Sequence, residues 1–426
     1  MKLTSVTSDD HTGLARTAIV LAGGFDQIDL ITELRSRGWR VVLIDYNKRP
    51  PAADAADLHY AESTLDIEAV LSIARKEQAA LVTTACTDQA LLTVAHVSAE
   101  LGLRTPFSPD QVLRLTNKEW MKQTVLEHGI PSAAYTTINT DDAPPDGLCF
   151  PMVVKPVDGN SSKGVTLVTE PAHWRAAVAR ARAVSRCGLI VCEEYLPGIE
   201  LSVDVLVLDG RPRILMVSES EKLENPEGAF PIHRSVQPSA QAIRFREEIE
   251  TCIAALVKAF AITDSPMIVQ LIASPEGIRV IELSARIAGG AKHRFIRAVT
   301  GYDIMRAWVD LLSQRRPPEP PQHAFLPAPP RALYCMQYLY MRPGTFDRFE
   351  GDDLLLHDGV IQEFFQTKTA GMRVGEALNS SNRVGAALLR ASGQADLHQR
   401  LARLFADLRA CDEHGVDQLL HPATAG

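Results

Sequence analysis

Residues Phe150–Val165, FPMVVKPVDGNSSKGV, restrict the fold more than any other stretch of the chain. The apolar run Met152–Val154 delivers Lys155, and a loop of small polar residues, Asp158–Gly164, precedes a second apolar run at Val165–Val168. Two β-like runs joined by such a loop predict a hairpin. Main-chain N–H groups at its tip can surround an anion, and glycine allows a phosphate to approach closely. The alternative is an ordinary hairpin with a flexible turn.

Length and charge narrow the classes of protein to consider. With 426 residues the chain is too long for one small core, so we expect two or three domains. The formal charge of −8 argues against nucleic acid as a partner, because a nucleic-acid binder normally has a basic face. An anionic substrate can still be bound locally, since the field within a site need not follow the net charge.

The cysteines and the N-terminus predict a cytoplasmic protein. The seven cysteines are scattered and form no C-x-x-C pair, so reduced thiols are favoured over a disulfide framework or a zinc site. The polar N-terminal segment has no apolar core of a signal peptide. We also find no apolar stretch long enough to span a bilayer, and therefore expect no membrane partner.

The order of predicted elements divides the chain into three parts. Strand, helix and strand over residues 18–45 predict a doubly wound α/β domain at residues 1–115. Gly23, Gly24 and Asp45 lack the full G-x-G-x-x-G of a dinucleotide site, so we interpret them as a turn. Residues 116–207 predict a compact α+β unit. Residues 208–426 follow, with 331–426 as an extension beyond a proline-rich connector.

Four short segments follow one another in a characteristic order. They are Lys118 at a helix start, Lys155 with its loop, Glu193–Glu200 (EEYLPGIE), and Glu282–Arg286 (ELSAR) ahead of two glycines. In this order and at these spacings the chain resembles the ATP-grasp superfamily, which includes D-alanine–D-alanine ligase, biotin carboxylase and the L-amino-acid ligases. The resemblance covers nearly the whole chain. It implies an α/β fold of ATP-grasp architecture, with an N-terminal doubly wound domain (1–115), an α+β lid domain (116–207) and a larger C-terminal α+β domain (208–426). The nucleotide would lie between the last two.

The resemblance implies a set of ATP-binding residues. Lys118 and Lys155 would hold the phosphates. The loop Gly159–Gly164, which follows Lys155, would close over the phosphates, because lysine ammonium groups and loop amides bind phosphate. The segment at Glu193 would follow the adenine edge, and Glu200 would bind the ribose hydroxyls. The implied nucleotide-binding residues are Lys118, Lys155, Gly159, Ser161, Ser162, Lys163, Gly164, Glu193, Glu194, Tyr195, Leu196 and Glu200.

The family's metal position is altered in this sequence. Mg²⁺, or Mn²⁺ in its place, requires hard oxygen ligands that bridge to phosphates. Glu282 matches the family's second acid, but the first acid falls at Gln270 and the usual asparagine at Ser284. Both replacements keep an oxygen ligand, and the one at Gln270 removes a negative charge. The metal is then held more weakly, or another carboxylate such as Glu276 takes part.

The resemblance also implies catalytic and substrate-binding residues. Arg286 matches the arginine that steadies the transferring phosphoryl group, with Lys155 as its catalytic partner and His233 as a base for the incoming amine. Gly289 and Gly290 precede a predicted helix, Ala291–Ala307, whose start would bind a substrate carboxylate. The remaining expected substrate contacts are Glu221 in the loop 219–238, and His293 and Arg294 in that helix.

The implied reaction is ADP-forming ligation of a carboxylate and an amine through an acyl phosphate. Small molecules, amino acids above all, are the expected partners, in dipeptide or peptide-antibiotic biosynthesis, and the family allows a homodimer. One alternative is a purine-pathway or carboxylase-type enzyme. Another is a nucleotide-binding regulator without catalysis, for which Gln270 is the argument.

Overall fold

The structure is a computed structural model that describes residues 16–140, 143–223, 231–321, 332–376 and 378–421. The described residues form a parallel four-stranded sheet, an antiparallel four-stranded sheet, an eight-stranded sheet and a three-stranded sheet, with helices packed around them. The predicted α/β class is confirmed. Within the described ranges, no helix is both long enough and apolar enough to cross a membrane.

The N-terminal unit is a parallel sheet covered by helices. Its strands have the order β3-β2-β1-β4, and β1 is entirely buried, as expected for a parallel strand with helices on both faces. The Asp45 carboxylate accepts a 2.7 Å hydrogen bond from the Gly23 N–H, so this glycine segment is a turn held by its own acid. The elements are β1 (Thr17–Leu21), α1 (Gln27–Ser36), β2 (Arg40–Ile44), β3 (Leu58–Tyr60), α2 (Ile67–Lys76), β4 (Ala79–Thr83), α3 (Asp88–Glu100) and α4 (Pro109–Thr116).

The next unit contains the predicted hairpin. Its antiparallel sheet has the order β5-β8-β6-β7, and β6 and β7 pair with Met152 opposite Val168 and Val154 opposite Thr166. The hairpin prediction is confirmed. The apolar side chains of β6 pack on helix α6, which leaves Lys155 on the opposite face of the strand. The elements are α5 (Lys118–Glu127), β5 (Tyr135–Ile138), β6 (Met152–Pro156), β7 (Thr166–Val168), α6 (Trp174–Val184) and β8 (Ile190–Glu194).

The eight-stranded sheet is the largest sheet of the described residues. Its first five strands have the order β13-β12-β9-β10-β11. We expected the lid unit to run to residue 207, but β9 pairs with β10 and β12, so the small sheet ends at Glu194. The elements are β9 (Ile199–Leu208), β10 (Arg211–Lys222), β11 (Ile232–Gln237), α7 (Ala240–Arg244), α8 (Arg246–Ala259), β12 (Ser265–Ser274), β13 (Gly277–Ser284), α9 (Lys292–Thr300) and α10 (Ile304–Leu312).

The helix expected at Ala291–Ala307 is interrupted. Helix α9 ends before Gly301, whose φ of 73° lies in the left-handed region that terminates helices, and α10 begins after Asp303. The Asp303 side chain accepts a hydrogen bond from the Arg306 N–H and caps α10. The prediction of one continuous helix was therefore wrong.

The C-terminal residues complete the large sheet. Strand β14 pairs with β11, and β18 pairs with both β14 and β16. These strands, from residues 331–426 that we expected to form an extension, therefore belong to the eight-stranded sheet. Strands β17, β15 and β19 form a separate small sheet. The elements are β14 (Leu333–Tyr340), β15 (Gly344–Glu350), α11 (Asp352–His357), β16 (Glu363–Gln366), β17 (Arg373–Val374), β18 (Arg383–Ala391), α12 (Gln394–Asp407) and β19 (Arg409–Asp412).

Candidate functional site

A cavity of about 470 Å³ lies where the small sheet, the large sheet and the N-terminal unit meet. Most of the residues that the sequence singled out line it, although they come from distant parts of the chain. The predicted residues at the cavity are Lys118, Lys155, Gly159, Ser161, Ser162, Lys163, Glu193, Glu194, Tyr195, Leu196, Glu200, Gln270, Glu282, Arg286, Gly289 and Gly290.

Lys155 lies in a buried ion-pair cluster. Its ammonium contacts one oxygen of Glu193, and the ammonium of Lys122 lies 2.6 Å from the other oxygen. Burial favours a raised pKa for the Glu193 carboxyl, but the two lysines outweigh it and the pKa is lowered. Two positive charges on one carboxylate leave this wall of the cavity with a positive excess. Lys122 was not predicted, although it follows Lys118 by one helical turn.

Lys118 connects the hairpin loop to the metal position. Its ammonium donates a 2.6 Å hydrogen bond to the Gly159 carbonyl and lies 3.2 Å from the Glu282 carboxylate. A side chain at Gly159 would collide with Pro156, since a Cβ there would lie 2.3 Å from the proline ring. At the loop tip the Ser161 carbonyl accepts a 3.3 Å hydrogen bond from the Ser380 N–H. The loop is therefore folded over the cavity.

Gly164 has a packing role in this loop. It does not line the cavity, and its φ of 71° together with contacts to α6 leaves no room for a side chain. A Cβ at Gly164 would lie 3.2 Å from the Ala181 Cα. Gly164 is thus needed where the loop returns to β7, and it lies outside the cavity that the other predicted loop residues line.

The segment after β8 forms an edge of the cavity. The Glu194 N–H already donates a 2.9 Å hydrogen bond to the Ala134 carbonyl, so only the Glu194 carbonyl is left to accept from a base. Leu196 and Tyr195 also line the cavity. The Glu194 carbonyl can accept a hydrogen bond from the amino group of adenine. The N–H two residues later, at Leu196, can donate to the ring nitrogen beside that amino group.

Glu200 is held on both sides. The ammonium of Lys222 lies 2.6 Å from one oxygen, and the Gln270 amide donates a 2.8 Å hydrogen bond to the other. This fixes the carboxylate at the cavity wall, where it can accept from ribose hydroxyls. It also fixes Gln270, because its N–H₂ points to Glu200 and its carbonyl oxygen is left for another ligand.

Gln270 and Glu282 face each other across two strands. They are directly opposite in the β12–β13 pairing and both line the cavity, which is the arrangement that a shared cation requires. Ser284 does not line the cavity, and its hydroxyl donates to Asp88. The residues present therefore fit a magnesium site with one carboxylate and one amide oxygen, and the predicted ligand Ser284 is engaged elsewhere.

Arg286 is paired with an acid that the sequence did not indicate. Its Nε donates a 2.9 Å hydrogen bond to Asp88 at the start of α3, and Nη2 binds the second oxygen of the same carboxylate. Burial favours a raised pKa for the Asp88 carboxyl, but Arg286 opposes it and the pKa is lowered. Asp88 lines the cavity too, so the arginine is oriented there by a bidentate contact.

His233 does not reach the cavity. It is buried beside Glu221, with 3.9 Å between its Nε2 and the carboxylate, while Glu221 binds Arg234 at 2.5 Å. Burial first, and then Arg234, lowers the pKa of His233 to about 4. Glu221 and His233, which we expected to contact substrates, thus do not line the cavity, and Glu221 instead pairs with Arg234 on the β10–β11 ribbon. Residues 224–230 of the same loop lie outside the described residues.

The low pKa of His233 predicts a pH-dependent stability. The folded pKa lies below the ordinary value of 6.5, so the unfolded chain binds a proton first as the pH falls. The contribution of His233 is complete above pH 6.5 and is lost progressively toward pH 4. We expect the melting temperature of His233→Gln to fall less between pH 7 and pH 5 than that of the wild type. The exposed His357→Gln is the control, and equal declines for all three proteins would contradict a buried neutral His233.

The predicted cations of α9 bind the N-terminal unit. His293 lies 2.5 Å from the Asp29 carboxylate and Arg294 donates two hydrogen bonds to it, which lowers the pKa of Asp29 against the effect of burial. Neither side chain lines the cavity. The helix start itself is occupied, since the Gly290 and Ala291 N–H groups donate to Asp26 at 2.9 and 2.7 Å. The expected carboxylate site on Gly289 and Gly290 is therefore filled by an acid of the protein.

Comparison with known proteins agrees with this geometry. The family model described as "ATP-grasp domain" matches residues 148–293, which include the hairpin, the base edge and the metal position. D-alanine–D-alanine ligase of Polaromonas sp. (strain JS666 / ATCC BAA-500) is 33% identical over 121 residues, 27% of this chain and 34% of the relative. The formate-dependent phosphoribosylglycinamide formyltransferase of Synechococcus sp. (strain RCC307) is 27% identical over 192 residues, 43% and 48% of the two chains. The matches thus span less than half the length of either curated relative.

The fold has a close structural counterpart over nearly its whole length. An L-amino acid ligase from Bacillus licheniformis superposes with a TM-score of 0.75 at 18% identity, covering 93% of this chain and 99% of the other. At this identity the likeness concerns the fold alone. The predicted resemblance is confirmed: residues 148–293 match the ATP-grasp domain, and the chain shares the fold of the L-amino acid ligase over nearly its whole length.

Proposed function

We propose that this protein is an ATP-dependent, ADP-forming ligase that joins a carboxylate to an amine, with amino acids as substrates. The observation that carries this proposal is the single cavity that combines Lys118, Lys155 and the hairpin loop with the pair Gln270–Glu282 and with Arg286. Phosphate-binding cations, a metal position and a charge-stabilising arginine are together what phosphoryl transfer requires. Relatives and structural neighbours that are carbon–nitrogen ligases support the proposal.

The chain's own residues would divide the work as follows. Lys118, Lys155 and the loop amides bind the phosphates, while the segment at Glu194 and the carboxylate of Glu200 orient the nucleoside. Magnesium bound at Gln270 and Glu282 would neutralise phosphate charge. A carboxylate oxygen of the first substrate attacks the γ-phosphorus and ADP leaves. The amine then attacks the acyl carbon, the amide forms, and inorganic phosphate departs with the oxygen of the carboxylate.

Arg286 would act at both steps. Its guanidinium is rigid because Asp88 holds two of its nitrogens, and its position at the cavity allows it to stabilise charge as it develops. Catalysis would then consist of positioning and charge neutralisation, without a covalent enzyme intermediate. With His233 outside the cavity, the departing phosphate would take the proton that the amine loses.

The altered metal position gives a testable consequence. Gln270→Glu places a second carboxylate beside Glu282 and also beside Glu200, whose oxygen now accepts from the Gln270 amide at 2.8 Å. Repulsion among three acids is relieved by a cation, so we expect the Mg²⁺ concentration for half-maximal ADP release to fall about tenfold. The exposed Gln362→Glu is the control. An unchanged Mg²⁺ dependence would place the metal elsewhere.

ADP release with amino acids tests the function itself. The purified protein is incubated with Mg²⁺–ATP and a pool of amino acids, and then with single pairs from any active pool. Release that requires both a carboxylate and an amine supports the ligase. Turnover only with phosphorylated or bicarbonate substrates would favour the purine-pathway or carboxylase-type alternative, to which the formyltransferase relative points. ATP binding without turnover by any pair would favour the regulator without catalysis.

The narrower expectations remain proposals. They include dipeptide or peptide-antibiotic biosynthesis as the pathway, a cytoplasmic location and a homodimer. Mass spectrometry of the product formed by an active pair identifies the amide. Sedimentation of the purified chain gives the oligomeric state.

A further inference from the structure

Arg383 is an arginine at the cavity whose partners are neutral. It begins β18, lines the cavity and stacks on the Tyr338 ring, with 3.9 Å between the guanidinium carbon and the ring centroid. Its Nε donates to the Tyr340 hydroxyl at 2.8 Å and its Nη2 to the Ile232 carbonyl at 3.1 Å. These contacts fix the guanidinium. Within the described ranges, no carboxylate forms an ion pair with it.

Three other cations of the cavity differ from Arg383 in this respect, and Lys163, which also lines it, is exposed to solvent. Lys155 contacts Glu193, Lys118 lies near Glu282, and Arg286 is held by Asp88. A charge removed from water is costly unless an opposite charge compensates for it. Arg383 is partly buried, and its direct contacts are neutral oxygens and an aromatic face. The Asp26 carboxylate acts on it only from beyond ion-pair distance and is itself bound by the Gly290 and Ala291 N–H groups. An anion from outside the chain is therefore the direct partner that would compensate for its charge.

Polar groups of the sheet extend from Arg383 into the cavity. Ser220 is opposite Ser235 in the β10–β11 pairing, and its buried hydroxyl has no hydrogen-bond partner among the described residues. Lys292 also lines the cavity, with its ammonium 2.7 Å from the Ser218 hydroxyl and 3.7 Å from Asp204. An unused hydroxyl and a second ammonium thus lie at the same cavity as the guanidinium.

Gly290 sets the space in front of Arg383. A Cβ at Gly290 would lie 2.9 Å from the Arg383 Nη1 and 3.0 Å from the Tyr338 ring, and the φ of 76° also disfavours a side chain. Nη1 therefore faces the Gly290 backbone. Asp26 already occupies the N–H groups of Gly290 and Ala291 at this helix start. The substrate anion that we expected there would therefore bind Arg383, on the neighbouring strand β18, instead of the helix start.

We propose that Arg383, with Lys292 and Ser220, binds an oxyanion group of a substrate, either a carboxylate or a phosphate. This inference rests on the proposed ligase function and specifies how a substrate is recognised. A guanidinium binds either group with two parallel hydrogen bonds, and a lysine and a hydroxyl complete the set of donors. The subsite would hold a group that does not react, and would thereby place the reacting amine or carboxylate toward Arg286.

The competing occupant is the terminal phosphate of the nucleotide. The hairpin loop reaches the segment that carries Arg383, since the Ser380 N–H donates to the Ser161 carbonyl. A test must therefore separate binding of nucleotide from binding of substrate. It must also give a result when no turnover is found, so that failure of the ligase proposal and failure of this inference can be told apart.

The experiment combines a change in the protein with a change in the probe. Wild type, Arg383→Met and Arg390→Met are loaded with Mg²⁺–ADP and titrated calorimetrically with L-alanine, L-alaninamide and O-phosphoethanolamine. Arg390 is an exposed arginine on the same strand that stacks on Tyr334, and it serves as the matched control. L-Alanine and its amide differ only in the carboxylate, and phosphoethanolamine offers a phosphate in its place.

We expect Arg383→Met to weaken binding of the preferred anion about tenfold or more, as for loss of a charge-assisted pair. Preference for alanine over alaninamide identifies a carboxylate, and preference for phosphoethanolamine identifies a phosphate. The variant should lose this preference while its affinity for ADP and ATP and its melting temperature stay near those of Arg390→Met. An equal loss for alanine and alaninamide, a loss of ATP affinity instead, or no binding of either anion by the wild type would overturn the inference.

Discussion

Lys155→Ala is expected to reduce ATP affinity by about ten- to a hundredfold, as for removal of a desolvated charge from an anion site. Lys155 and Lys122 share the carboxylate of Glu193, so the wild type has one positive charge in excess at this wall. In the variant Glu193 and Lys122 neutralise each other, and that excess is gone. Direct titration of Mg²⁺–ATP measures the change.

The Lys155 variant needs a control for general effects of removing a lysine. Lys258 is exposed on helix α8 and does not line the cavity, so Lys258→Ala should bind ATP as the wild type does. A cooperative thermal transition near that of the wild type would show that Lys155→Ala is folded. Unchanged ATP affinity in a folded Lys155→Ala would mean that the hairpin is not the phosphate site.

Arg286→Lys is expected to lower kcat by about a hundredfold or more with little effect on ATP affinity, since the lost group stabilises developing charge. Lysine retains the positive charge but cannot bind both oxygens of Asp88, so the cation is no longer held in one orientation. The measurement is steady-state ADP release with an active substrate pair, together with ATP titration.

A substitution at Asp88 tests the orientation of Arg286 without removing the arginine itself. Asp88→Asn keeps the size of the side chain but removes the charge that orients Arg286, so its kcat should fall less than that of Arg286→Lys and its ATP affinity should not change. If Arg286→Lys retained wild-type kcat, the arginine would have no part in the chemistry. If both variants lost ATP affinity instead, Arg286 would belong to nucleotide binding.

The sequence predicted those features of the fold and the site that are determined by residues close together in the chain. Lys155 and its loop were readable because an apolar run, a lysine and a glycine-containing turn follow one another, and β6 and β7 pair as that pattern indicates. The direct opposition of Gln270 and Glu282 was not accessible in this way, because a β-bulge between Gln270 and Leu271 shifts the register that the turn at Ser274–Gly277 sets. Local periodicity also predicted strands β1 and β2 of the N-terminal unit, but not the short strand β3.

The sequence did not predict partners that only the folded chain brings together. Asp88 lies 198 residues before Arg286, and its role follows from the packing of α3 on the end of β13. His293 resembled a substrate contact because a cation at a helix start suggests an anion, but the anion is Asp29, 264 residues earlier. In the same way, Arg383 had no local signal, since its place at the cavity depends on β18 joining the large sheet through β14.

Activation of the substrate carboxylate by phosphorylation is the central step of the proposed reaction. An amino acid labelled with heavy oxygen in its carboxylate, incubated with Mg²⁺–ATP, an amine partner and the enzyme, tests this claim directly. The account predicts that one labelled oxygen per turnover appears in inorganic phosphate, because the carboxylate oxygen becomes the bridge of the acyl phosphate. Unlabelled phosphate formed together with amide product would contradict it.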